Sequence, residues 1–279
     1  MHQESDGLLF KEYFSLVNHI LDSNSGQPEI LFQRCRSLSW IFVGVTSSKD
    51  LATRTFISAS FPVLEYMTIQ NMAVGDWHPN IGAPRLPRLK EVTLIDHTEE
   101  CIPPFFRDED FANVEKLTFI ATSLWMDFDV TCISRFRSIR ILMLKADGFY
   151  SDYLDTETLG DSLKPAEISL LETLSLYGYV SPQILNMIRA PGLRKMEIEA
   201  DDTTGWNSLV ASNLVHLVGS LERLCVSFSE GMHEASWVEE LERLIAEAPP
   251  LVNVLVSPWM MQCVIGKAWS SRLYVTDPK

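Results

Sequence analysis

The most regular feature of the chain is an apolar triplet, L-x-x-L-x-L or a close copy of it, that recurs nine times. The first, fourth and sixth positions are apolar in every copy, and the last two alternate as in a short strand with one buried face. A repeat length of twenty-odd residues, combined with this triplet, is typical of a leucine-rich-repeat solenoid. The copies follow one another after 22 to 32 residues and begin at Leu38, Leu64, Leu89, Val114, Ile139, Leu171, Leu193, Leu221 and Leu251.

The segments between the triplets predict helices. Apolar residues recur at helical spacing over residues 206–218 and again over residues 237–245, where Glu239 and Glu242 fall on the opposite face. Strand, loop, helix and strand therefore form the predicted unit. Stacked units predict an α/β fold, a leucine-rich-repeat solenoid of horseshoe shape, with parallel strands on the concave face and helices on the convex face.

The two ends of the chain differ from the repeats. Residues 1–37 predict an N-terminal helical cap, with one amphipathic helix over residues 10–21 and a second short helix around residues 29–36. Residues 38–279 are predicted to form the leucine-rich-repeat domain, with about nine irregular repeats. The terminal repeats of a solenoid need such caps because their cores are otherwise exposed. At the other end, residues 259–265 predict a last helix, and residues 273–275 are expected to close the stack.

The repeat region resembles that of fungal F-box/leucine-rich-repeat proteins over roughly residues 30–260, in its register, its P-x-L-x-x-L-x-L opening and its irregular helix lengths. The resemblance implies a module that recruits a target protein, while an F-box docks on the Skp adaptor of a cullin ubiquitin ligase. Residues 28–31, Pro-Glu-Ile-Leu, are similar to the opening of an F-box, but a repeat beginning at Leu38 leaves no room for the rest. The F-box itself is therefore expected to be absent from this chain. A ligase link is expected only if an F-box lies outside it.

The composition narrows the classes of partner. The formal net charge is −14, both halves are acidic, and no cluster of Lys and Arg forms a stripe, which argues against nucleic acid and anionic membranes as partners. The five cysteines form no C-x-x-C pair and are interpreted as reduced thiols. No secretory signal is visible at the N-terminus, and no run of eighteen apolar residues exists. These features predict an acidic intracellular protein of the cytoplasm or nucleus.

Candidate chemistry is sparse. The chain has no nucleophile elbow, Walker loop, zinc-protease motif or dinucleotide fingerprint. The densest cluster of metal-capable side chains, residues 96–101, follows a strand and is expected to be a solvated loop. We therefore predict a protein that is not an enzyme and that has no catalytic residues, cofactor or metal. Two alternatives remain: a repeat scaffold unconnected to ubiquitin, and an enzyme with a site near the 96–101 loop.

A partner surface is predicted from the strand register. The third and fifth triplet positions are expected to face the concave side, where they form a polar surface with an apolar centre at Ile141 and Met143. Lysines lie at its edges and a tyrosine beside them, so the expected ligand is an apolar segment of another protein with an acidic rim. The predicted partner-binding residues are Tyr66, Lys116, Ile141, Met143, Lys145 and Tyr177.

Overall fold

The computed structural model describes residues 33–41, 61–70, 85–95, 108–121, 133, 135–146, 166–178, 188–200, 216–228, 234–250, 252–268 and 270–275. Within them the chain forms twelve short β-strands. In chain order these are β1 (Ser37–Ile41), β2 (Tyr66–Gln70), β3 (Glu91–Ile95), β4 (Lys116–Ala121), β5 (Ile141–Ala146), β6 (Ala166–Glu167), β7 (Thr173–Gly178), β8 (Ile188–Arg189), β9 (Lys195–Ala200), β10 (Arg223–Phe228), β11 (Asn253–Val256) and β12 (Leu273–Val275).

Ten of these strands form one sheet in the order β1-β2-β3-β4-β5-β7-β9-β10-β11-β12, and β6 pairs with β8 in a separate two-stranded sheet. Every neighbouring pair is parallel. Each repeat therefore contributes one strand of the main sheet and pairs with the repeats before and after it. This arrangement is a solenoid, and it confirms the predicted parallel sheet with one short strand near each triplet.

The strands form because alternate positions are buried. The first triplet position is fully buried at Leu64, Leu89 and Val114, and the fourth and sixth positions alternate with more exposed neighbours, as along β2 and β3. In-register pairing places like positions side by side, so each apolar position becomes a continuous column through the stack. The fourth-position column, for example, consists of Met67, Val92, Leu117, Leu142, Leu174, Met196, Leu224 and Val254.

A further buried column lies three residues before each triplet from the second repeat onward, and the sequence analysis did not identify it. Its backbone carbonyls accept hydrogen bonds from the first triplet residue, as from Leu64 N to Phe61 O at 3.3 Å. The same turn recurs before β3, β4, β7, β9 and β10. Two of its rings stack, with 4.5 Å between the centroids of Phe111 and Phe136. The column consists of Phe61, Leu86, Phe111, Phe136, Ile168, Ala190, Val218 and Ala248.

Polar side chains in these turns tie neighbouring repeats together. The Asn113 amide donates to Pro87 O at 3.2 Å, the Ser138 hydroxyl to Ala112 O at 2.6 Å, and the Ser220 hydroxyl to Leu193 O at 2.8 Å. Each bond joins one repeat to the previous one. These hydrogen bonds satisfy backbone carbonyls that the sheet does not reach.

The first repeat begins three residues earlier than predicted. Leu38 pairs with Met67 and Trp40 with Ile69, so Leu38 occupies the fourth triplet position and not the first. Cys35 occupies the first position and packs against the core. The prediction was wrong because Ile41 and Val43 are also apolar, so a triplet read three residues late still matches the pattern.

Helices connect the last strands. Helix α1 (Glu234–Glu247) lies between β10 and β11, and helix α2 (Pro258–Val264) lies between β11 and β12. The apolar stripe predicted over residues 237–245 is confirmed, since Val238, Leu241 and Leu244 are buried while Glu239 is exposed. The chain also forms 3-10 helices at Asp108–Phe111 and Ser270–Arg272.

Arg272 fixes the C-terminal end of this arrangement. Its guanidinium donates to Ile245 O at 2.6 Å, Pro249 O at 2.7 Å and Ala248 O at 3.4 Å. These carbonyls belong to the end of α1 and the residues after it, where helix carbonyls lack partners and the helix dipole favours a cation. Arg272 therefore ties β12, which immediately follows it, to the end of α1.

The predicted N-terminal cap lies almost entirely outside the described residues and stays a prediction. Its second helix does not extend to residue 36, because residues 33–34 form a turn and residues 35–36 are not helical. Of the helix predicted over residues 206–218, the structure describes only residues 216–218. These are helical, and Leu217 and Val218 are buried. Among the described helices, none has the length and apolar character needed to cross a membrane.

Candidate partner-binding face

The open face of the ten-stranded sheet is formed by the third, fifth and seventh positions of the repeats, which alternate with the buried columns. Between β2 and β4 it presents Thr68, Thr93 and Thr118 in one in-register row. The large side chains exposed on this face include Tyr66, which is 43% exposed, and Ile141, which is 37% exposed. Both residues stand on strands whose opposite face is fully buried, so their backbones are held by the core beneath them.

The six predicted partner-binding residues all lie on this face. Five of them are on the neighbouring strands β4, β5 and β7, and Tyr66 is apart from them on β2. Lys116 is the in-register neighbour of Ile141, and Lys145 is the neighbour of Tyr177. Met143 is half-buried and lies between these rows on β5. Tyr66 is separated from Lys116 by β3, which contributes Glu91 to the same row.

Two cations on the face, Lys116 and Lys195, are paired within the chain. Lys116 Nζ lies 3.1 Å from Glu91 Oε2, and Lys195 Nζ lies 2.6 Å from Glu197 Oε1. The cationic edge predicted at Lys116 is therefore already paired by a carboxylate on the neighbouring strand. A partner that approaches this side meets a neutral ion pair beside an apolar centre, instead of a free positive charge.

A polar network lies at the boundary between β7 and β9. Ser175, which is 2% exposed, donates its hydroxyl hydrogen to Glu197 Oε2 at 2.7 Å, and Glu197 is also paired with Lys195. Burial and the nearby carboxylates of Glu197 and Glu199 raise the pKa of Tyr177 above its ordinary value of 10.0. A hydrogen bond with Ser175 and the charge of Lys195 act in the opposite direction and are smaller. Tyr177 is therefore a neutral phenol at physiological pH.

A second feature, which the sequence analysis did not identify, runs along the edge of the sheet where the strands begin. The second triplet positions carry charges whose sign alternates from one repeat to the next without exception over eight repeats. We call this row the charge ladder. From β1 to β10 it consists of Arg36, Glu65, Lys90, Glu115, Arg140, Glu172, Arg194 and Glu222.

The backbone holds the charge ladder in register. Each member after Arg36 donates its N–H to the carbonyl of the member before it, as from Lys90 N to Glu65 O at 2.9 Å and from Arg140 N to Glu115 O at 2.8 Å. Side chains then pair along the row, with Arg140 Nη1 2.7 Å from Glu172 Oε1 and longer contacts at Lys90–Glu65 and Arg194–Glu222. Opposite charges on adjacent strands favour this register over a slipped one.

A shallow groove of about 550 Å³ lies along the charge ladder from Glu65 to Arg140. Ladder residues line it together with Leu170, which is 49% exposed. Glu115 is exposed, and among the described residues its carboxylate has no ion-pair partner. The lining residues are Glu65, Pro87, Arg88, Lys90, Asn113, Glu115, Ser138, Arg140 and Leu170.

The candidate metal loop at residues 96–101 lies outside the described residues and stays a prediction. Within the part of the chain that the structure describes, no group of three or more His, Cys, Asp or Glu side chains is placed to hold a metal ion. Burial raises the pKa of the Cys35 thiol above its ordinary value of 9.0, so this described thiol is not activated as a nucleophile.

Comparison of the chain with protein-family models, with curated proteins and with solved structures finds no match. The fold and the placement of side chains are therefore the observations from which a function is inferred.

Proposed function

We propose that this protein is a non-enzymatic binding solenoid that recognises another protein through the open face of its sheet. The observation that carries the proposal is the display of Tyr66 and Ile141. Both are large exposed side chains on strands, β2 and β5, whose other face is buried. Such residues lose little conformational entropy on binding because the sheet already fixes their backbones, and tyrosine is favoured at the centre of interfaces.

The proposal includes a leucine-rich-repeat horseshoe with helices on the convex side. Its support comes from the triplet on each strand and from α1 and α2, which connect consecutive strands of the same parallel sheet. Crossovers between neighbouring parallel strands are right-handed almost without exception, so consecutive ones place their helices on the same side of a sheet and leave the other side open. In a horseshoe of this type the open side is the concave face.

The proposed ligand is an apolar protein segment that fits over Ile141 and Met143 and carries polar groups on either side. The paired state of Lys116 and Glu91 favours polar or hydrogen-bonding groups there over a single strong negative charge. A role in target recognition, as in the fungal F-box proteins that the repeats resemble, is the biological setting we propose, in the cytoplasm or nucleus. Membership of a ubiquitin ligase stays a prediction.

Site-specific photo-crosslinking tests this proposal. A photoreactive side chain introduced at Ile141 or Tyr66 is expected to capture a protein from a native extract, and the same probe at Glu239, on the exposed side of α1, is expected not to capture it. Capture at Glu239 with no capture at either face position would contradict the proposed site.

A further inference from the structure

The charge ladder is self-complementary. It has an even number of members whose signs alternate without interruption from Arg36 to Glu222. When such a row is reversed end to end, every member comes opposite a member of the other sign. Reversal is the operation of a two-fold axis, which is the commonest symmetry of protein dimers.

The axis that engages the whole ladder passes between Glu115 and Arg140. Around it, Glu115 of one copy lies opposite Arg140 of the other, and Lys90 lies opposite Glu172. Strands in both copies have the same spacing, about 4.8 Å, so the two rows match residue for residue. A shift of the axis to a ladder residue would place like charges opposite each other along the whole row and is strongly disfavoured.

From this we propose that a second copy of the chain docks on the charge ladder through a two-fold axis at Glu115 and Arg140. The ladder is a neutral strip on a protein of net charge −14, so it is a part of the surface where two copies approach without like-charge repulsion. Its side chains are accessible, with exposed fractions of 53% at Arg140, 68% at Arg194 and 71% at Glu222.

One end of the groove reaches this axis, since Glu115 and Arg140 both line it. Glu115, which lacks an ion-pair partner among the described residues, gains the guanidinium of the opposite copy's Arg140. Leu170 comes two residues before Glu172, as Arg88 comes two residues before Lys90, so the same axis brings the exposed Leu170 side chain of one copy toward Arg88 and the adjacent Pro87 of the other. The contact therefore combines ion pairs with an apolar patch on each side of the axis.

The dimer is expected to be weak and sensitive to salt, because exposed ion pairs each contribute little and are screened by added salt. Internal pairing along the ladder is a competing explanation for the alternation. The two explanations differ in one result, because only contact between copies allows two variants with opposite defects to rescue each other.

Sedimentation velocity at ~0.1 M salt measures the dimer across a concentration series from micromolar to near-millimolar. Wild type is expected to dimerise and to become monomeric at ~1 M salt. Glu115→Arg places arginine opposite Arg140 twice, and Arg140→Glu places glutamate opposite Glu115 twice. Each variant alone is expected to dimerise roughly tenfold more weakly, since two pairs turn repulsive. A mixture of the two variants restores both pairs and is expected to form heterodimers with wild-type affinity.

The control is Glu239→Arg, which makes the same change in net charge on α1, outside the ladder, and is expected to leave dimerisation unchanged. If a central variant fails to fold, Lys90→Glu and Glu172→Lys form the next pair across the axis and give the same three-way comparison. Monomeric wild type at the highest concentration would overturn the proposal. So would single variants that dimerise like wild type, or a mixture that does not restore the dimer.

Discussion

Truncation of Leu174 tests the idea that the stack is held together by its internal columns. Leu174 is fully buried on β7, and its in-register neighbours Leu142 and Met196 are fully buried on β5 and β9. Leu174→Ala removes three carbons, whose transfer is worth about 2.4 kcal/mol, and leaves a cavity that the flanking strands cannot close. We expect a loss of about 3 to 4 kcal/mol in the free energy of unfolding.

The measurement is denaturant unfolding followed by circular dichroism, with two matched variants. Leu273→Ala makes the same truncation on β12, where Val254 is the only strand neighbour among the described residues. It is expected to cost about 1 to 2 kcal/mol because one side of the column is missing. Thr173→Ala, on the open face beside Leu174, should cost less than about 0.5 kcal/mol. A loss below about 1 kcal/mol for Leu174→Ala, or one no larger than that of Leu273→Ala, would refute the reasoning.

Two further predictions concern single side chains. Arg272→Lys should lower the free energy of unfolding by roughly 1 to 3 kcal/mol, since an ammonium cannot reach all three carbonyls. The same change should speed amide hydrogen exchange in the last turn of α1. Unchanged exchange would refute the anchoring role. Because the pKa of Tyr177 is raised, its phenol should ionise above pH 10.0 in the folded protein. The stability linked to the neutral phenol is therefore fully present below pH 10.0 and is lost as the pH rises through the folded-state pKa. The ultraviolet titration of wild type minus that of Tyr177→Phe isolates this group, and a midpoint at or below pH 10.0 would contradict the account.

Strand positions were predictable because the apolar triplet encodes both the location of a strand and its buried face. The first repeat was misplaced because apolar residues at 41 and 43 imitate the triplet, and only backbone pairing of Leu38 with Met67 fixes the register. The column that begins at Phe61 was missed, although an apolar residue three places before each triplet is visible in the sequence.

The features of the candidate sites depend on contacts between repeats, which a single repeat does not show. The charge ladder becomes visible only when the second positions of eight repeats are compared in register. The hydrogen bond from Ser175 to Glu197 joins strands β7 and β9 and requires the pairing of those two residues. Side-chain pairing of Lys116 with Glu91 likewise follows from the register of β3 and β4, and it changes the charge that the face presents.

The central claim is that the open sheet face binds a protein partner, and the affinity of the crosslinked partner tests it most directly. The dissociation constant is measured for wild type and for the double variant Tyr66→Ala with Ile141→Asp, whose exposed positions leave the core intact. The melting temperature of each protein is recorded beside it, with Glu239→Lys as the control. We expect binding to weaken by roughly a hundredfold or more in the double variant, with little change in melting temperature. A folded double variant that binds the partner as tightly as wild type would contradict the account.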